Sequence, residues 1–177
     1  MMNLLKLINL HFNIKIDSEI ENLLNKDLSL KPEDFAVYIY RLQNEIITLN
    51  GENKEDDVLQ ALAYIQRMYT QVEIYYSAKI GNNFKIIHGL GSVIGSRVVI
   101  GDNVTIYQNV TIGDKGTSDG RPMIGDNVVI YAGAKVIGDI EISRDSVIGA
   151  NAVVKDSFLK ASLILGVPGV NKSKILQ

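Results

Sequence analysis

Between Ile74 and Val154 the chain repeats every six residues, and that period excludes most folds open to a sequence of 177 residues. Aliphatic residues fall at Ile74, Ile80 and Ile86, then at Ile94, Ile100, Ile106 and Ile112, then at Ile124, Ile130, Val136, Ile142, Ile148 and Val154. A second, smaller set follows most of these by four places: Ala78, Val98, Val104, Val110, Val128, Ala134, Ile140, Ser146 and Ala152. An amphipathic helix repeats about every 3.6 residues and a half-buried strand about every 2, so neither produces hexads. A solenoid does. Each hexad supplies one short parallel strand and one corner, three hexads close a triangular coil, and coils stack about 4.8 Å apart through backbone hydrogen bonds. The Gly, Asp and Asn of IGDNVT and IGDNVV suit the corners. A β-sandwich would instead need hairpin turns at irregular spacing. The fold class expected is mainly β, a parallel β-helix with a small N-terminal α-helical region.

Composition narrows the function. Lys and Arg total 18 against 20 acidic residues, so no basic field is available to hold nucleic acid. The absence of cysteine removes disulfides, a thiol nucleophile and thiolate metal sites. The opening MMNLLKLINLHFNIKI is broken by Asn, Lys and His, with no spanning run and no small-residue cleavage site. A cytoplasmic protein without membrane insertion is expected.

Residues 1–71 have a different texture and read as a helical cap, leaving 72–177 for the β-helix and a C-terminal tail. Asp17 and Ser18 precede EIENLL as a helix start, and Pro32 opens PEDFAVYIYRLQNEIITL. Asn50-Gly51 punctuates before EDDVLQALAYIQRMY. Phe35, Ile39, Leu42 and Ile46 share one face of the second segment, which predicts packing on neighbouring helices or on a partner subunit.

The hexads break twice, in IIHGLGSV between Ile86 and Ile94 and in GDKGTSDGRPM between Ile112 and Ile124. Insertions in a solenoid map to one face, often the binding face. About one coil separates the two, which predicts neighbouring levels. His88, one of two histidines, lies in the first break beside Gly89 and Gly91, which permit close approach of a ligand. Glu73 precedes it by fifteen residues, close to one coil. A carboxylate on one imidazole nitrogen would fix the tautomer and raise the basicity of the other, making a general-base dyad. The plainer alternatives are a structural histidine, a solvated glutamate and a corner loop without function.

The segments EIYYSAKIG, IIHGLGSVIG, NVTIGDKG, IGDNVVIYAGAKVIGDI, IGANAVV and GVPG resemble the serine acetyltransferase family of hexapeptide acyltransferases. The resemblance runs from about Tyr40-Arg41 to Pro168. It implies a left-handed β-helix, a homotrimer, and acetyl-CoA as donor in the cleft between neighbouring β-helices, with no metal. It implies that His88 is the catalytic base and that Glu73 stands where the family has an orienting aspartate. It implies further that Gly113, Ala132, Gly133 and Ala150 line the acetyl-CoA cleft, and that Lys172 and Lys174 meet a phosphate of CoA. The family places an acidic residue before the base, where this chain has Ile87, and an Arg-His pair in the extruded loop, where this chain has Gly120-Arg121. Arg121 and Ile87 are therefore the candidate acceptor-binding residues. The C-terminal isoleucine through which the family docks to the next enzyme of cysteine synthesis is replaced by Gln177.

These departures resemble the O-acetyltransferases of surface-polysaccharide clusters, so the acceptor expected is a sugar hydroxyl. An apolar wall at Ile87 suits a sugar face better than an ammonium, which needs a counter-charge. The alternatives are L-serine O-acetylation in cysteine biosynthesis, with Asp56 or Asp57 of the cap supplying the missing acid, or a non-catalytic trimeric scaffold. A zinc-dependent carbonic anhydrase of similar fold would need three histidine ligands, and only His11 and His88 are present.

Overall fold

The structure, a computed structural model, describes residues 2–12, 21, 24–25, 27–50, 57–116 and 120–173. Helix α1 spans Leu4–His11, where the Asn3 side chain caps the start by accepting from the Lys6 amide at 3.1 Å. Helix α2 spans Pro32–Asn50, with proline at the position that needs no amide donor. Helix α3 spans Asp57–Thr70. The helix expected after Ser18 falls largely outside the described residues, of which Glu21 and Leu24 are helical. Helix α1 and an antiparallel pair joining Met2–Asn3 to Asp27–Leu28 were not legible from periodicity.

From Glu73 onward the chain is a parallel β-solenoid with three faces. The first face stacks Glu73–Ile74, Val93–Ile94, Thr111–Gly113, Lys135–Ile137 and Val153–Val154. The second stacks Lys79–Ile80, Val99–Ile100, Met123–Ile124 and Glu141–Ile142. The third stacks Lys85–Ile86, Thr105–Ile106, Val129–Ile130, Val147–Ile148 and Leu163–Leu165, and Val170–Asn171 folds back antiparallel on its end. Every aliphatic of the hexad series is buried, the most exposed being Ile80 at 7%. The set four places on is buried with it, including Ser146.

Register shows what the breaks do. Val93 pairs with Thr111, eighteen residues on, which is one regular coil. Glu73 pairs with Val93, twenty residues on, so the first break adds two residues. Val99 pairs with Met123, twenty-four on, so the second adds six. The breaks lie on neighbouring levels but at the two different corners that border the first face. A third irregularity follows Val154, where Phe158 bridges to Ile142 before Ile164 resumes the buried series.

The cap solves an edge problem, because the first coil has no strand below it and unpaired backbone groups are costly when buried. Gln66 accepts from the Ile74 amide at 2.9 Å and donates to the Ala36 carbonyl at 2.9 Å. The Tyr40 hydroxyl donates to the Ala78 carbonyl at 2.8 Å and accepts from the Ile80 amide at 3.2 Å. Arg41 donates to the Ile80 carbonyl at 2.6 Å and to that of Gly81. Phe35, Ile39, Leu42 and Ile46 are buried against Val58, Leu62 and Ile65 of α3, so neighbours in the same chain cover that face. No helix among the described residues is long and apolar enough to cross a membrane.

Candidate active site

One corner of the solenoid, between the third and first faces, gathers five of the candidate residues, Ile87, His88, Ala132, Gly133 and Ala150. Each coil turns there through a left-handed residue: Gly91 (φ 71°), Asn109 (φ 58°), Gly133 (φ 75°) and Asn151 (φ 58°). Their amides donate one level down, to the carbonyls of Gln71, Leu90, Gln108 and Ala132, each at 2.9 Å. His88 belongs to the lowest level of this ladder, and Ala132, Gly133 and Ala150 to its upper levels. By coil spacing, Ala132 stands roughly 10 Å and Ala150 roughly 14 Å along the axis from His88.

His88 is exposed and is itself left-handed, at φ 66°, as is Gly89 at φ 66°. Such a conformation is uncommon outside glycine, although histidine tolerates it better than most residues. The backbone is braced locally: the Ile87 amide donates to the Ile106 carbonyl at 2.8 Å and the Leu90 amide to the His88 carbonyl at 2.8 Å. Gly89 is buried, and a Cβ there would press on Val72 and Ile86. The two residues added to this coil thus turn His88 outward. Ile87 is half-buried beside it.

Glu73 lies on the lowest strand of the first face, half-buried, and accepts an ion pair from Arg67 of α3 at 3.0 Å. The structure therefore joins Glu73 to the cap, with no hydrogen bond to His88. Asp57, Arg67 and Glu73, with Tyr64, Tyr75 and Tyr76, line a cavity of about 500 Å³ at the junction of cap and solenoid. A second, of about 580 Å³, is lined by Asn44, Ile47, Ser77, Lys79, Ser96 and Arg97 among others. His88 is outside the walls of both. Asp57 is the acid from the cap that the sequence offers, and Asp56 lies outside the described residues.

The extruded loop leaves from the other corner of the first face. Arg121 closes its base: the guanidinium meets Asp114 at 2.8 Å and donates to the carbonyls of Ser96 at 3.0 Å and Gly120 at 2.9 Å. Its charge is thus shared with the loop's own stem. Gly113 begins that stem and faces open space, since a Cβ there would meet no atom within 4 Å. At Gly133, by contrast, the Asn151 side chain fills the place of a Cβ, so the turn alone accounts for glycine. Ala150 is exposed and Ala132 half-buried. Lys172 is exposed, its amide tied to the Leu163 carbonyl at 2.7 Å, and Lys174 lies outside the described residues. No group of three or more His, Asp or Glu able to hold a metal occurs among the described residues.

Four residues with a structural role carry no such assignment from the sequence. Gln66 and Tyr40 gave no pattern, because their role is to satisfy an edge that periodicity does not reveal. Arg67 lies six residues before Glu73, a spacing without meaning until the helix ends and the strand begins. Gln108 had a signal: it follows Ile106 by two places as His88 follows Ile86. Its side-chain oxygen is buried and accepts no hydrogen bond.

The bacterial transferase hexapeptide (six repeats) family matches residues 121–156. A serine acetyltransferase of Bacillus licheniformis is 38% identical over 136 residues, covering 76% of this chain and 61% of the relative. Among solved structures, a Brucella abortus serine acetyltransferase in complex with coenzyme A superposes with a TM-score of 0.72 at 31% identity, covering 77% of this chain and 54% of the other. The soybean enzyme complexed with serine gives 0.70 at 30% identity, covering 77% and 55%. The chain thus spans under two thirds of the length of these relatives.

Proposed function

We propose, from the chain's membership of the serine acetyltransferase-like hexapeptide acyltransferases, that it transfers an acetyl group from acetyl-CoA to a hydroxyl, with L-serine as acceptor. The observation that carries the reading is the shared corner: an outward histidine at the foot of a column whose upper levels present Ala132 and Ala150. Acetyl-CoA supplies an activated thioester carbonyl. Gly113, Ala132 and Ala150 leave room for a narrow chain, which Gly133 does not decide. His88 acts as general base on the acceptor hydroxyl, and a residue of this type is worth about 100-fold or more in rate. With no cysteine in the chain, no thiol acyl-enzyme can form, and the reading takes attack of the acceptor oxygen on the thioester carbonyl to be direct, with CoA leaving as its thiol. His88 faces outward from the solenoid, so a neighbouring copy in a homotrimer completes its walls. Lys172 is the described cation nearest the C-terminal end for a phosphate of CoA.

L-serine takes precedence over the sugar expected from the sequence because the relatives are serine acetyltransferases and one of them holds serine. Two observations keep the carbohydrate reading as second: an apolar Ile87 stands beside His88 where the resemblance implies an acid, and Arg121 is committed to Asp114. A thiol-release assay with acetyl-CoA, run against L-serine and a panel of sugars and nucleotide sugars, tests both. Turnover with L-serine and inert sugars is expected, and the reverse pattern would move the acceptor to the carbohydrate class.

A further inference from the structure

The third face of the solenoid differs from the other two in what its strands turn outward. Glu73 and Lys135 stand on the first and Lys79 and Glu141 on the second, whereas the third has Lys85 at its foot and only uncharged residues above it. Where this face meets the active corner, large residues form a column. The amides of Ile87, Tyr107, Tyr131 and Gly149 donate to the carbonyls of Ile106, Ile130, Ile148 and Ile164 at 2.8, 3.0, 2.9 and 2.9 Å, which sets the four in line on successive coils. Ile87, Tyr107 and Tyr131 each follow a buried isoleucine and so face outward. The Tyr107 and Tyr131 rings stack, with centroids 5.0 Å apart and planes 28° apart. Above them a Cβ on Gly149 would lie 2.2 Å from Leu165 Cδ2, so Leu165 occupies the place that glycine leaves. Ile87, Tyr107, Tyr131 and Leu165 thus make one apolar wall, roughly 14 Å high by coil spacing. Its outer side is open, for Tyr131 is 41% and Leu165 37% exposed. His88 follows Ile87 at the foot of the wall, and Lys172, tied to the Leu163 carbonyl at 2.7 Å, puts a cation at the upper end of the same face.

We propose that Tyr107 and Tyr131 are donor-positioning residues: the pantetheine arm of acetyl-CoA lies along their stacked rings, with the acetyl end at Ile87 and His88 and the phosphates toward Lys172. The inference rests on the reading of the chain as an acetyl-CoA-dependent transferase with His88 as base. The order of chemistry along the face matches that of the donor. A thioester carbonyl meets the base, an uncharged arm of two amides and a dimethyl-substituted carbon meets an uncharged wall, and phosphates meet a cation. No ion is desolvated along the wall. The stack also holds each ring in place before the ligand arrives, so aromatic contact is gained with little loss of side-chain freedom. An acceptor as small as L-serine would reach only the foot of such a wall, which suits a long, narrow ligand.

Calorimetric titration of the full chain with CoA tests the wall without an acceptor. Tyr131→Ala should weaken CoA binding about 10-fold or more, and Tyr131→Phe, which keeps the ring, should bind as the wild type does. In steady state the alanine variant should raise KM for acetyl-CoA with kcat little changed. Should that variant not fold, Tyr131→Thr, which lacks the ring but suits a strand, carries the test with the same expectation. CoA affinity indifferent to loss of the ring overturns the proposal. An equal loss of affinity for adenosine 3′,5′-bisphosphate, which lacks the arm, does so too, because the ring would then serve the nucleotide. A rise in KM for the acceptor alone would give the ring to the acceptor, and dissociation of the variant on sedimentation would give it to a second copy; either result defeats the assignment. The two claims fail separately. Tyr131-dependent CoA binding without acetyl transfer sustains the wall and defeats the functional reading, and acetyl transfer with CoA affinity indifferent to the ring does the reverse.

Discussion

Arg67 and Glu73 meet at 3.0 Å where the last turn of α3 passes into the first strand of the solenoid. The ion pair bridges the two parts of the chain, but its side chains are 49% and 27% exposed, so solvent screens it. Pairs of this kind contribute about 0–1 kcal/mol. Arg67→Ala should therefore lower the melting temperature by no more than about 4 °C, read by differential scanning calorimetry. A larger loss would mean that the pair organises the junction rather than decorating it.

Glu73→Gln keeps a hydrogen-bond acceptor and removes the charge. Turnover should fall less than about 10-fold, against about 100-fold or more for loss of His88. Steady-state kinetics with saturating acetyl-CoA decides this. Equal losses at the two positions would return Glu73 to the base.

Tyr40 predicts an alkaline limit to stability. Burial pushes its phenol above the ordinary range, outweighing the Ile80 hydrogen bond and the nearby Arg41, which act in the opposite direction. Below about pH 10 both folded and unfolded chains hold the proton and the contribution is constant. Above it the unfolded chain ionises first, so stability falls as pH rises toward the folded value. Urea denaturation at pH 8 to 11 should show this decline, reduced in Tyr40→Phe. At neutral pH the same variant strands the Ile80 amide and the Ala78 carbonyl and should cost about 1–3 kcal/mol.

How far this arrangement could be read from the sequence depended on whether the information was periodic. Ile74 to Val154 announced the coil because each buried position recurs, and the positive-φ residues recur with them, as in the ladder Asn83, Asn103, Asn127 and Asp145, whose side chains hydrogen-bond from level to level. His88 stood out because it interrupts that recurrence. Phe158 and Ile164 did not, since the gap after Val154 offers no second copy to align. Glu73 illustrates the limit most clearly: its spacing placed it near His88 by level, but α3 delivers Arg67 to the same carboxylate, and no count of residues along the coil could foresee a helix arriving from outside it. Arg121 is similar, for its partners Asp114 and Ser96 come from two different levels.

Arg121 should behave as a clasp. Arg121→Ala removes the ion pair with Asp114 and the hydrogen bonds to Ser96 and Gly120 from a largely buried position. Charge-assisted bonds in such sites contribute about 1.5–3 kcal/mol each when formed. The variant should show earlier proteolytic cleavage between residues 114 and 121, with the melting temperature of the coil less affected. An unchanged cleavage pattern would show that the stem holds without it.

A homotrimer should sediment as a single species near three times the 19.5 kDa chain at micromolar concentration. A monomer under those conditions would leave the outward His88 without a second wall and would contradict the assembly.

The most direct measurement is thiol release from acetyl-CoA by the wild type and by His88→Ala, with CoA affinity measured on both proteins by thermal shift. The account predicts acceptor-dependent turnover in the wild type, a loss of about 100-fold or more in the variant, and similar stabilisation of both by CoA. Undiminished turnover in His88→Ala would contradict it.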